Sequence, residues 1–314
     1  MVNPISTRRL CFEILKVRKE ELLALVADAD TYYNPYQQLK KKEDGTIKVR
    51  SIEPSTGYLK KVQKRIDRNI LKPAMESMPY EIMGGRTGIS VVMNGQHHAK
   101  SKAFMKYDVK NFFPSIEYTH VYYIFRYRLN YCEEAANILS KLTTYPSESA
   151  HVPQGAPTST SLAMFALEPM CIKLKKFADS NGLKFSIWID DITVSGDPSV
   201  LTIHRKTFDY IVNASPYTIH PDKDTGIIKK GAKVGNEKGR RVTGVVIDNT
   251  NRLTLGNTKL KSLQRRVRRI KQESPSLRGS LLFLKQVSPS QGRKLYQDYK
   301  IKIASSKKPT KTQD

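Results

Sequence analysis

Cysteine is scarce: the 314 residues include only Cys11, Cys132 and Cys171, far apart and without a CxxC pair. That argues against a disulfide framework or a cysteine-rich zinc site and suits a reducing compartment. Long apolar runs are also missing. No stretch approaches the roughly 18 apolar residues of a membrane span, and the N-terminal MVNPISTRRLCFEILKVRKEE lacks the apolar run of a signal peptide. The expected location is the cytoplasm, with no membrane partner. Acidic residues are outnumbered, 29 Asp+Glu against 54 Lys+Arg, for a formal net charge of +25. A field of that size attracts polyanions, and nucleic acid is the first candidate because phosphate neutralisation releases condensed counterions.

A chain of this length buries enough apolar surface to fold without staples, and it shows no internal repeat. Periodicity predicts a helix over 7–28, with Leu10, Ile14, Leu22, Leu23 and Val26 on one face. A hairpin follows, from Tyr36 to Lys42 and from Thr46 to Ile52, turning at Glu43-Asp44-Gly45. Helices are expected over 58–71, over 117–131 and from Thr158, with Pro169 kinking or ending the last. Short strands are expected over 103–109, 184–189 and 192–195, and a hairpin over 241–248 and 252–255. From Asn257 the chain turns basic. Between Lys259 and Lys311 sixteen basic residues face two acidic ones, Glu273 and Asp298. Leu260, Leu263, Val267 and Ile270 form an apolar stripe there, and Arg265, Arg266, Arg268 and Arg269 crowd the other faces. The order of elements lacks regular βαβ alternation, so the fold class is α+β.

Asp190 and Asp191 sit side by side between the apolar runs Ser186–Ile189 and Ile192–Val194. Two ionised carboxylates in such a setting repel each other and resist burial. A divalent cation removes the conflict, and Mg²⁺ is commonly held by one or two carboxylates together with substrate phosphates. An isolated Asp-Asp pair is more often a solvated turn; the flanking strands favour the metal reading. Asp108, ending its own strand, is the candidate third carboxylate, and paired metals suit in-line phosphoryl displacement.

Together these segments resemble successive palm motifs of reverse transcriptases: Asp108-Val-Lys-Asn-Phe-Phe-Pro-Ser-Ile116, Pro153-Gln-Gly-Ala-Pro-Thr-Ser159 and Trp188-Ile-Asp-Asp191. Lys48-Val-Arg50-Ser-Ile52 with Leu59-Lys-Lys-Val-Gln63 resembles the fingers segment, so the likeness spans about residues 35–255. Asn94-Gly-Gln-His-His98 and Val242-Thr243-Gly244 resemble the NAxxH and VTG elements of bacterial retron enzymes. Two positions depart from the family pattern. Trp188-Ile189 replaces the usual Tyr-Ala, and Thr160 replaces the Pro after Thr-Ser.

The resemblance implies a right-hand polymerase: an N-terminal helical segment (1–30), fingers (31–102), palm with fingers insertions (103–256), a basic helical thumb (257–304) and a disordered tail (305–314). It implies two Mg²⁺ ions, with Mn²⁺ as a substitute, on Asp108, Asp190, Asp191 and the carbonyl of Val109. It implies dNTP contacts from Lys48, Arg50, Phe113, Gln154, Gly155 and Lys223, with Phe113 excluding a 2′-hydroxyl. It implies RNA contacts from Asn94, His98 and Arg265, Arg266, Arg268 and Arg269. The implied partners are a cognate structured noncoding RNA, its branched RNA–DNA product (msDNA) and an effector protein, in antiphage defence. Two other readings stay open: another prokaryotic reverse transcriptase of abortive-infection or group II intron type, and a non-catalytic RNA-binding scaffold that restrains a toxin.

Overall fold

The computed structural model describes residues 3–41, 45–220, 226–234, 237–238 and 240–306. At its centre is a four-stranded antiparallel sheet of β3 (Ala103–Asp108), β4 (Lys184–Trp188), β5 (Asp191–Gly196) and β6 (Ile228–Lys229), in the order β4-β5-β3-β6. The two inner strands are buried along most of their length because both faces are covered. Helices α8 (Ser159–Ser180) and α9 (Pro198–Asn213) pack on the sheet, and Leu162, Leu167, Leu174, Leu201 and Phe208 join Phe185, Ile187, Ile192 and Val194 in one core.

The same core runs into the N-terminal half, through α1 (Thr7–Arg9), α2 (Lys19–Ala27), α3 (Gly57–Ile66), α4 (Lys72–Met75), α6 (Tyr118–Tyr123) and α7 (Glu133–Thr143). The hairpin of β1 (Tyr36–Lys41) and β2 (Ile47–Ile52) projects beside it, paired from Tyr36↔Ile52 to Lys41↔Ile47. Helix α5 (Val91–His98) lies against β4 and against a three-stranded sheet of β9 (Arg240–Val242), β10 (Val245–Ile247) and β11 (Leu253–Thr254). A small ribbon, β7 (Lys233–Val234) with β8 (Glu237–Lys238), precedes it. Three helices close the described chain: α10 (Asn257–Arg269), α11 (Pro275–Val287) and α12 (Pro289–Ser306). They bury Leu263, Val267, Leu277, Leu281, Leu284, Leu295 and Tyr299 in a second core, which also takes Val92 and Val245. The stripe of Leu260, Leu263, Val267 and Ile270 is thus packing surface, while Arg265, Arg266, Arg268 and Arg269 are exposed.

Four sequence expectations are corrected. The helix over 7–28 is broken: α1 runs into a π-helical turn, Leu10–Leu15, and stops at Lys16, whose φ of +53° is left-handed. Helix α8 continues through Pro169, because burial of Phe165, Leu167, Met170 and Cys171 around it outweighs the lost backbone bond. The segment 241–248 is not one strand; Thr243 (φ +45°) and Gly244 (φ +85°) turn the chain between β9 and β10. Ser305 and Ser306, expected in a disordered tail, belong to α12, and 307–314 lie outside the described residues. Among the described residues, no helix is long and apolar enough to cross a membrane.

Candidate active site

The β4–β5 hairpin closes through a two-residue turn, with Trp188 paired to Asp191. The turn places Ile189 at φ +59°, a conformation normally left to glycine in tight hairpins and strained for a β-branched residue. The neighbourhood holds it there. Ile187 donates its N–H to the Glu81 carbonyl at 2.8 Å, and its own carbonyl accepts from Met83 at 2.9 Å and Gly84 at 3.1 Å. A Cβ on Gly84 would lie 2.5 Å from the Ile189 nitrogen, so only glycine lets this strap approach the tip. The strap also covers the outer edge of β4, which would otherwise be open. Gly84 was not singled out from the sequence, because the atoms it meets are a hundred residues away.

Asp108 and Asp191 are cross-strand partners in the β3–β5 register. Directly opposed residues share one face of the sheet, with Cβ atoms about 5 Å apart. Asp108 is buried and Asp191 half-buried. Asp190 sits in the turn itself, and its carbonyl accepts the Val109 N–H at 3.1 Å. Val109 is buried and bridges to Ile219, while the Asp108 carbonyl accepts from His220 at 2.8 Å. The sheet thus brings all three acidic residues to one end. Their donors are hard oxygens, which fit Mg²⁺ or Mn²⁺ and not a thiolate-seeking metal. Among the described residues, no three His, Cys, Asp or Glu side chains stand together as tightly as a bound ion requires. Asp108 and Asp191 form the facing pair, and the third carboxylate is one residue along the tip. Bare carboxylates repel, so convergence is cheapest around a cation.

Of the other predicted residues, those of β2 and of the Gln154-Gly155 turn approach each other. Phe112 is buried against Tyr217, whereas Phe113 is only partly buried. Lys48, Arg50 and Ile52 alternate on the half-buried face of β2. Ile52 marks where that face points: its Cγ2 lies 3.2 Å from where a Cβ on Gly155 would be. Gly155 has φ +113°, so its backbone approaches β2 in a conformation other residues avoid. Gln154, half-buried, precedes it. Lys223 lies outside the described residues.

Asn94 and His98 require correction. Both were expected at an RNA-contacting surface, yet they are 1% and 0% exposed, inside α5. Asn94 donates to the Thr243 hydroxyl at 3.3 Å, so the NGxxH and VTG elements bind each other. His98 places Nδ1 2.7 Å from Ser195 Oγ and Nε2 2.8 Å from Ser186 Oγ, on β5 and β4 behind the Asp190-Asp191 tip. Side chains without exposed surface cannot touch RNA here; they tie α5 to the sheet.

Burial holds the His98 imidazole well below its ordinary 6.5, so it stays neutral. The unfolded chain takes up a proton below pH 6.5 that the folded one refuses. His98 therefore costs no stability above that pH and progressively more as pH falls beneath it, at most about 1.4 kcal/mol per pH unit. Thermal melts from neutral to mildly acid pH should show wild type losing more stability than His98→Gln; equal slopes would refute this.

Comparison with known proteins agrees with this geometry. The sequence pattern of the family described as reverse transcriptase (RNA-dependent DNA polymerase) matches residues 39–247. The Escherichia coli retron Ec86 reverse transcriptase is 27% identical over 284 residues, 89% of this chain and 84% of that protein. The Myxococcus xanthus retron Mx162 reverse transcriptase is 27% identical over 266 residues, 74% of this chain and 51% of that protein, so there the chain spans about half its relative. The solved telomerase from Candida albicans, in complex with a telomeric RNA fragment, superimposes with a TM-score of 0.50 at 11% identity, covering 92% of this chain and 59% of that one; this likeness concerns the fold alone. With the paired-aspartate sheet, a right-hand polymerase architecture and a family match across two thirds of its length, the chain belongs to the reverse transcriptase (RNA-dependent DNA polymerase) family, where its relatives include bacterial retron enzymes.

Proposed function

We propose that this protein is a retron-type reverse transcriptase. It copies part of a cognate structured noncoding RNA into DNA, primed from an RNA 2′-hydroxyl, and the branched product serves antiphage defence with an effector protein. The observation that carries the catalytic part is the register that sets Asp108 opposite Asp191 with Asp190 at the adjoining tip. Similarity to several retron enzymes supports the finer reading.

In this reading Asp108 and Asp190 hold two Mg²⁺ ions, Asp191 supports them, and the Val109 carbonyl is a further ligand. Bound there, the ions supply charge neutralisation to the attacking and leaving oxygens of phosphoryl transfer. Arg50 and Lys48 grip the triphosphate, where a guanidinium forks onto phosphate oxygens. Gln154 and Gly155 line the nucleotide pocket, and Lys223 is assigned to the departing pyrophosphate from its sequence motif alone. The exposed arginines of α10 contact RNA backbone and 2′-hydroxyls, which is how structured RNA is chiefly read.

The test is Mg²⁺-dependent dNTP incorporation by purified protein, together with sequencing of the nucleic acid that co-purifies. A linked RNA–DNA species from one locus is expected. Absence of incorporation on every primed RNA template would favour the scaffold reading.

Phe113 gives a separate expectation. A ring under the incoming sugar collides with a 2′-hydroxyl, so Phe113→Val should raise kcat/KM for rGTP relative to dGTP by roughly 10²-fold. An unchanged ratio would move the sugar gate elsewhere.

A further inference from the structure

We propose that buried Glu53 and half-buried His151 form a charge-paired latch that positions the Gln154-Gly155 turn against the strand carrying Lys48 and Arg50. The inference rests on the reading that this turn lines the nucleotide pocket, and it adds two residues to that site.

Glu53 follows β2 directly and is 8% exposed. Its backbone N–H donates to the Gln154 carbonyl at 2.7 Å, and its carboxylate Oε2 accepts the Gln154 N–H at 3.2 Å. Both backbone groups of Gln154 are therefore held by one residue of the fingers strand. The same Oε2 lies 3.5 Å from His151 Nε2. His151 stands three residues before Gln154, and its neighbours bind the motif that carries Asp108: Val152 donates to the Ile116 carbonyl at 2.9 Å, and Tyr118 donates to the Ala150 carbonyl at 2.8 Å. One strap thus joins three segments that the proposed reaction must keep in register.

The protonation state follows from the partners. His151 Nδ1 faces the Ser149 carbonyl at 2.9 Å, an acceptor, and Nε2 faces a carboxylate, also an acceptor. Only the imidazolium donates to both. The other groups around it are Ser147 of its own loop, the Tyr145 ring at 5.8 Å, and Glu117, which bridges to it through backbone. The Glu117 side chain is engaged in a capping box with His120 and is not free to replace Glu53. In agreement, the Glu53 carboxylate raises the His151 imidazole above its ordinary 6.5 against the opposing effect of burial. A raised histidine contributes fully below pH 6.5, and its contribution is lost as pH climbs through the raised value. The latch should therefore loosen on the alkaline side.

A loosened turn misplaces the nucleotide before it disturbs the metals, so the effect belongs in KM for dNTP. The experiment measures kcat and KM for dNTP on a primed RNA template between about pH 6 and 9, the range over which a raised histidine changes charge. Wild type should show KM rising with pH. Glu53→Gln, which keeps shape and an acceptor oxygen but not charge, should raise KM roughly tenfold at neutral pH and flatten its pH dependence, the worth of one charge-assisted hydrogen bond. His151→Gln should do the same, and the double variant should be no worse than either single one. Additive losses, a fall in kcat with KM unchanged, or a wild-type KM independent of pH would overturn the latch. The wild-type profile needs no variant to fold. A wild type that incorporates no dNTP at all would instead sink the polymerase reading.

Discussion

Asp190→Asn is expected to lower DNA synthesis by roughly 10³-fold or more, the upper end for loss of one preorganised charge-stabilising group. The substitution keeps size and turn geometry but removes the negative charge proposed to anchor a metal. Stability should hold or rise, because Asp108 and Asp191 face each other across β3 and β5 and one fewer charge at that end relieves repulsion. Asp108→Asn should behave alike, and the double variant should be little worse than either, since both act through the same ions. Steady-state incorporation, with thermal melting as a fold control, checks this. Retention of activity in Asp190→Ala with Asp191→Ala would remove the carboxylates from the chemistry.

Arg240→Ala is expected to cost about 3–5 kcal/mol of stability, the sum of unpaired buried acceptors and lost packing, and to lower Tm by about 5–15 °C. Arg240 is 1% exposed. Its guanidinium donates to the Ser101 carbonyl, to the Asp248 carbonyl at 3.2 Å and to Asn251 Oδ1 at 2.9 Å, and lies over the Phe104 ring at 5.2 Å. Burial pulls its pKa down, offset by Asp248. One side chain thus ties the β9–β11 sheet to the start of β3. Truncation leaves several acceptors unpaired and a void beside Phe104. Calorimetry would test it, and a loss under about 1 kcal/mol would show the cluster relaxing onto water.

The gathering of the three acidic residues at one end of the sheet was legible because its determinants are local. Strands flanking Asp190-Asp191, and a strand ending at Asp108, are visible as short apolar runs, and pairing them needs only a sheet. The β1–β2 hairpin was legible for the same reason, from two neighbouring extended runs, while its expected Glu43-Asp44 turn lies outside the described residues. Asn94 and His98 were misread because a polar residue in a motif looks alike whether it meets RNA or an internal hydroxyl. Ser186, Ser195 and Thr243, which bind them, are 88 to 149 residues away in sequence. Pro169 left a kink or an end open, and packing along α8 decided against an end.

The amino-acid sequence by itself determined the family, the charge that draws nucleic acid, and the acidic residues on which the proposed chemistry rests. These are properties of composition and short-range pattern. Tertiary structure alone decided which polar side chains turn inward, which glycine admits the strap beneath Ile189, and which histidine meets Glu53. Burial and charge pairing depend on what arrives from distant parts of the chain, and no local spacing carries that information.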